Sequence, residues 1–170
     1  FREAFYEIGR EIKSFFTESF HTFKEFDDQV RKAASLMGTE FLTTVNEINK
    51  SSLKLSETTR YTATQIAESF GVLAMNGLNL KEAMSAIPVV LDLAEAGAYS
   101  VERTTEILIG TVHSFNLSVD SMKSVANAMT NAMTTSALSM QRIAYTVQYA
   151  GTTADAANQS FGQMLGIMGV

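Results

Sequence analysis

The sequence predicts an all-α fold, a long N-terminal amphipathic helix followed by a bundle of short capped helices, and three observations carry that prediction. Apolar residues recur at helical spacing through residues 1–37. Candidate N-caps then follow at Thr62, Asn79, Ser100, Ser118, Ser139 and Ser160, in steps of 17, 21, 18, 21 and 21 residues, each one helix and one turn long. The 170 residues include 10 glycines and a single proline, a usage that favours helix over sheet.

The first element runs from Phe1 to Met37. Turning 100° per residue from Phe5, the side chains of Ile8, Ile12, Phe16, Phe20, Phe23, Phe26, Val30, Ala33, Ala34 and Met37 fall within about 80° on either side. Glu3, Glu7, Arg10, Glu18, Glu25, Asp28 and Lys32 fall opposite. The pairs Asp27–Arg31 and Asp28–Lys32 add about 0.2–0.5 kcal/mol each, small beside the roughly 1.5–3 kcal/mol of a buried phenylalanine. Packing therefore decides where this helix goes. At about 1.5 Å per residue it reaches roughly 55 Å, and its stripe calls for a partner chain, with Phe5, Ile8, Ile12, Phe16, Phe20, Phe23, Phe26 and Val30 as the candidate interface. An ordinary core helix folded back on its own domain is the alternative.

Gly38 is the expected stop, after which Phe41, Leu42, Val45 and Ile48 resume helical spacing. The stretch from Asn49 on is rich in serine, threonine and lysine, which predicts a polar linker. The chain thus divides into a helical arm at 1–48, a linker at 49–61 and a multi-helix bundle at 62–170.

The bundle is organised around Thr62–Ala96. Thr62 with Gln65 and Asn79 with Glu82 are reciprocal capping boxes, and Gly77 is the expected turn between their helices. Pro88 is expected to kink or interrupt the second helix, because its ring removes a donor and crowds the carbonyl four residues back. Gly97, Asn116 and Gly151 are the further expected stops. Ser160 with Gln163 forms another box. Leu78-Asn79-Leu80 and Leu117-Ser118-Val119 stand 39 residues apart, a hint of a two-helix repeat, but the likeness is thin and a compact bundle of five or six helices is the reading.

Charge separates the halves. Residues 1–37 carry 13 charged side chains, whereas Ile107–Val170 carries only Asp120, Lys123, Arg142 and Asp155. Met122, Met129, Met133, Met140, Met164 and Met168 crowd the same charge-poor region, either as an internal core or as a face that packs on neighbouring copies.

Candidate chemistry is sparse. With no cysteine there are no disulfides and no thiolate sites, and two histidines, His21 and His113, do not make a metal site. Asp92 with Glu95 and Glu102 with Glu106 read as solvated or capping pairs. Phosphate-loop, hydrolase and zinc-protease motifs are absent. A net charge of -5 argues against direct nucleic-acid binding. No catalytic residue, metal or cofactor is expected. Gly162 and Gly166 read as a tight helix contact.

The ordered segments Phe26-Asp27-Asp28-Gln29-Val30, Thr62-Ala63-Thr64-Gln65-Ile66-Ala67-Glu68, Leu73-Ala74-Met75-Asn76-Gly77, Ala86-Ile87-Pro88 and Val90-Leu91-Asp92-Leu93-Ala94-Glu95-Ala96 resemble the core region of bacteriophage tail tape measure proteins. Phe115-Asn116-Leu117, Val125-Ala126-Asn127-Ala128-Met129, Tyr149-Ala150 and Gly166-Ile167-Met168 continue the likeness. The chain departs from the family pattern at Asn116 and Asn127, where glycine and aspartate are usual, and lacks the proline often found near Gly151.

The resemblance implies a non-enzymatic structural role inside the phage tail or tail tip, with assembly in the host cytoplasm. It implies that the protein sets tail length and leaves ahead of the DNA. It also implies tail tube or tip proteins and assembly chaperones as partners; a homo-oligomer, taken as a trimer, is the working arrangement. The chain is expected to be a piece of a longer polypeptide. The alternatives are a membrane-active segment that aids genome delivery, with any membrane contact outside these residues, or a generic helical oligomerisation module.

Overall fold

The computed structural model describes residues 2–38, 40–136, 138–157 and 159–168, with 2–12 and 14–20 as backbone. The described residues form eight α-helices: α1 (Arg2–Met37), α2 (Phe41–Thr58), α3 (Ala63–Met75), α4 (Leu80–Gly97), α5 (Val101–Ser114), α6 (Met122–Thr135), α7 (Met140–Ala156) and α8 (Phe161–Met168). The all-α expectation holds.

Local chemistry sets most of the starts. Thr62 Oγ1 accepts from the Gln65 amide at 3.2 Å while Gln65 Oε1 accepts from the Thr62 amide at 3.0 Å. Asn79 and Glu82 exchange the same two bonds at 3.0 and 2.9 Å. Ser160 and Gln163 do so at 3.3 and 2.8 Å. Ser100 and Ser139 each accept from the amide three residues on, those of Arg103 and Arg142. Ser118 departs from expectation: its hydroxyl bonds the Ser121 hydroxyl, and a single 3-10 turn, Val119–Ser121, precedes α6.

Three of the ends share one motif. The amides of Leu78, Tyr99 and Leu117 donate to the carbonyls of Leu73, Ala94 and Val112, each five residues back. This bond needs a left-handed residue just before it. Gly77 (φ 86) and Asn116 (φ 46) supply it as expected. At the end of α4 the left-handed residue is Ala98 (φ 53), which corrects the assignment of that stop to Gly97. Gly97 is instead the last residue of α4, where a Cβ would stand 3.1 Å from Met140 Cε. Gly151 is no stop either, since α7 continues through it to Ala156.

Of the two effects expected of Pro88, interruption does not occur: α4 runs unbroken from Leu80 to Gly97 with the proline on its exposed side. A carbonyl deprived of its donor on that side can be solvated. The expected linker at 49–61 is helical as far as Thr58, because Val45, Ile48 and Ser52 dock inward and carry the polar tract with them.

Packing is ordered in two layers. α3 packs on α5 and α5 on α7, while α4 packs on α6 and α6 on α8, so α3–α4, α5–α6 and α7–α8 are three helical hairpins stacked one on the next. The register is 39 residues. Ala83, Met122 and Phe161 occupy equivalent buried places, as do Ala86, Val125 and Met164, and Ile87, Ala126 and Leu165. In the other layer Val101 matches Met140, Thr104 matches Ile143 and Leu108 matches Val147, all buried. The expected compact bundle is thus a repeat stack, in which each unit buries its apolar face against its neighbours. At the start of the stack the C-terminal part of α1 lies on α3, with α2 against both. One continuous core joins them, from Phe26 through Leu165.

Candidate interaction surface

Among the described residues no group of three or more histidine, cysteine or acidic side chains is placed to hold a metal. His21 and His113 are exposed on different helices. Asp92 and Glu95 face solvent, and Glu106 is held by Arg103 at 2.7 Å, so neither carboxylate pair converges on a site. Glu68 on α3 has its pKa raised, first by burial, then by Glu102 and Glu25, with Lys32 opposing. No single helix is long and apolar enough to cross a membrane. What the surface offers is contact.

The first contact region lies on α1. Of the expected interface, Phe5, Ile8, Ile12, Phe16 and Phe20 have side chains outside the described residues. Phe26 (7% exposed) and Val30 (0%) lie in the chain's own core with Ala33, Ala34 and Met37, which corrects their assignment to a partner surface. The alternative of a helix folded back on its own domain holds for this part. Phe23, one turn earlier on the same stripe, is 66% exposed. The helices against α1 explain the change, because α2 and α3 are 18 and 13 residues long against its 36. Asp27 and Arg31 close the expected surface pair at 2.7 Å; among the described residues Asp28 and Lys32 form no ion pair.

The second region is the far end of the hairpin stack. Within the stack, Arg103, Ile107, Gly110 and Ser114 of α5 turn toward α7 and share a groove of about 320 Å³ with Ala144, Val147 and Gln148. In the other layer Ala128 of α6 lines a similar groove of about 330 Å³ against Gly162 and Leu165 of α8. Adding 39 to the outward residues gives Arg142, Thr146, Tyr149 and Thr153 on α7, and Ile167 on α8. No helix lies beyond them among the described residues. Tyr149 is 76% exposed and Ile167 71%.

Sequence reasoning missed this face. The signal that finds it is the pair Ser100-Val101-Glu102-Arg103 and Ser139-Met140-Gln141-Arg142, which fixes the register. The methionines do not supply it: Met122, Met129, Met140 and Met164 are buried, as the internal-core reading has it. Gly162 and Gly166 are exposed, and a Cβ on either would meet nothing within 4 Å, which corrects the expectation of a tight contact there.

Against known proteins, a family model described as phage-related minor tail protein matches residues 49–170. No curated protein and no solved structure matches the chain.

Proposed function

The chain belongs to the phage-related minor tail protein family, and from that premise we propose that it is a segment of a tape measure protein. In this reading it is a non-enzymatic structural part of the tail that takes part in setting tail length during assembly in the host cytoplasm and leaves the tail ahead of the DNA. The observation that carries it is the proportion of α1: one unbroken helix of 36 residues beside covering helices of 18 and 13. A helix of that length spans about 54 Å, and a protein that measures a tube needs such extended elements.

The exposed Phe23 continues a stripe that includes Phe5, Ile8, Ile12, Phe16 and Phe20 in the sequence. Bundling of that stripe with like helices, three in the simplest arrangement, is the proposed use of the arm. Tail tube or tail tip proteins and assembly chaperones are the proposed partners.

The test is tail length. Phages carrying in-frame deletions elsewhere in the same gene are measured by electron microscopy. Tails shorten by about 1.5 Å for each helical residue removed if the protein is the ruler. Assembled tails of unchanged length overturn the proposal.

A further inference from the structure

We propose that the groove between α5 and α7 is a binding site for a neutral oligosaccharide. It lies apart from the α1 stripe and does not depend on the tape measure reading.

By the 39-residue register this groove departs from the way the preceding step of the stack packs. Ala144 and Gln148 line it from α7. Their counterparts one hairpin earlier, Thr105 and Ile109, turn toward α3 and are buried, at 0% and 2% exposed. Side chains of the stack itself close that earlier step. Between α5 and α7 an alanine and an exposed glutamine take their places, and a Cβ added to Gly110 of α5 would meet nothing within 4 Å. The result is a trough of about 320 Å³, a volume that suits a small ligand, with an adjoining recess of about 160 Å³ toward Tyr99 and Tyr145. Both walls belong to the stack, and the trough lies on the side of α7 that faces α5.

The lining selects the ligand. Ile107 and Val147 give it an apolar base, each 6% exposed, and the Tyr145 ring stands beside it at 53% exposed. Gln141 and Gln148 each bring amide donors and an acceptor, while Arg103 is tied to Glu106 at 2.7 Å, so the groove carries no net charge. Phosphate and nucleic acid need uncompensated positive charge, which is lacking. A proline-rich peptide can lie on an aromatic ring, but its backbone offers mainly acceptors and leaves Glu106 and the glutamine oxygens unmatched. A sugar answers each part. Its hydroxyls both donate and accept, as the amides and the Arg103–Glu106 pair do, and its C–H face suits the negative face of a tyrosine ring.

The test titrates the isotope-labelled full chain with cellotriose, with tri-N-acetylchitotriose and, separately, with a proline-rich peptide, following the backbone amide resonances. At least one of the two sugars is expected to give saturable shifts confined to α5 and α7. Tyr145→Ala, at an exposed site that leaves the fold intact, is expected to weaken that binding about tenfold. Gln148→Ile, which copies the closed step at Ile109, is expected to abolish it while the thermal midpoint stays unchanged or rises. Saturation by neither sugar overturns the proposal, as does binding that maps away from the groove or that either substitution leaves unchanged. Shifts at the groove from the peptide alone overturn it too, and give the site to a protein partner.

Discussion

Gly151 of α7 lies against Ser114 of α5, with a Cβ on the glycine reaching 3.0 Å from Ser114 Cβ and 3.5 Å from Phe115 Cε2. Two hairpins of the stack touch here almost backbone to backbone. The obstructing atom is a Cβ, fixed to its helix, so the helices themselves must move to admit a methyl group. Gly151→Ala is therefore expected to destabilise by about 1 kcal/mol, an overpacking penalty partly offset by alanine's better helix propensity. Urea denaturation measures it, and Ser114→Gly in the same chain should restore the midpoint.

Gly77 and Ala98 test the left-handed ends in opposite directions. Both have positive φ, 86° and 53°. Gly77→Ala is expected to cost about 1–2 kcal/mol, and Ala98→Gly to stabilise by a similar order, because only glycine occupies that region without a Cβ clash. Gly97→Ala, with only the movable Met140 Cε at 3.1 Å, should stay close to neutral. Equal losses at Gly77 and Gly97 would contradict this account of the turns.

Thr104 and Thr105 are both fully buried on α5, but only Thr105 has a partner: its hydroxyl donates to the Val101 carbonyl at 2.7 Å, whereas Thr104 Oγ1 has none. Replacing an unsatisfied hydroxyl by a methyl group of the same shape removes a desolvation penalty of about 1–3 kcal/mol. Thr104→Val is expected to raise Tm by roughly 2–4 °C, and Thr105→Val to leave it unchanged or lower it. Scanning calorimetry of the two variants decides.

Glu68 gives the protein a specific pH dependence. Burial, then Glu102 and Glu25, raise its folded-state pKa above the ordinary value of 4.5. The folded chain therefore disfavours the carboxylate, and the penalty is complete above the raised pKa. It fades as the pH falls through that value and is gone below the unfolded one. Glu68→Gln is expected to stabilise at pH 7, with the gain vanishing below pH 4.5. Chemical denaturation of both proteins across that range would refute the assignment if the difference stayed constant.

Phe23 and Phe26 separate own-core from surface on one stripe. Phe26→Ala is expected to destabilise by about 3–5 kcal/mol, as for other buried phenylalanines. Phe23→Ala, at an exposed site, should stay within about 0.5 kcal/mol. If the arm bundles with like arms, Phe23→Asp weakens association in sedimentation equilibrium without changing the helical signal.

The chain's own chemistry makes its helix starts legible. A capping box needs two residues three apart, so Thr62 with Gln65, Asn79 with Glu82 and Ser160 with Gln163 are written in the sequence and appear as written. Ser118 reads like the others but bonds Ser121, and no local rule marks the difference. The tract after Asn49 has the composition of a linker, yet it is helical because Ile48 and Ser52 are fully buried, and propensity yields to docking. The hairpin register shows at only two points, Leu78-Asn79-Leu80 against Leu117-Ser118-Val119 and Ser100-Val101-Glu102-Arg103 against Ser139-Met140-Gln141-Arg142. What repeats elsewhere is burial and not identity: Ile87, Ala126 and Leu165 share a place and no side chain.

The sequence alone determined the helical class, most helix boundaries and the apolar stripe of α1, because each depends on residues within a turn or two of one another. Tertiary structure decided which part of that stripe is covered, that the hairpins stack in two layers, and that Tyr149 and Ile167 are exposed among the described residues. Those outcomes depend on relative helix lengths and on which surfaces meet across dozens of residues, and spacing along a chain does not encode what comes to rest against it.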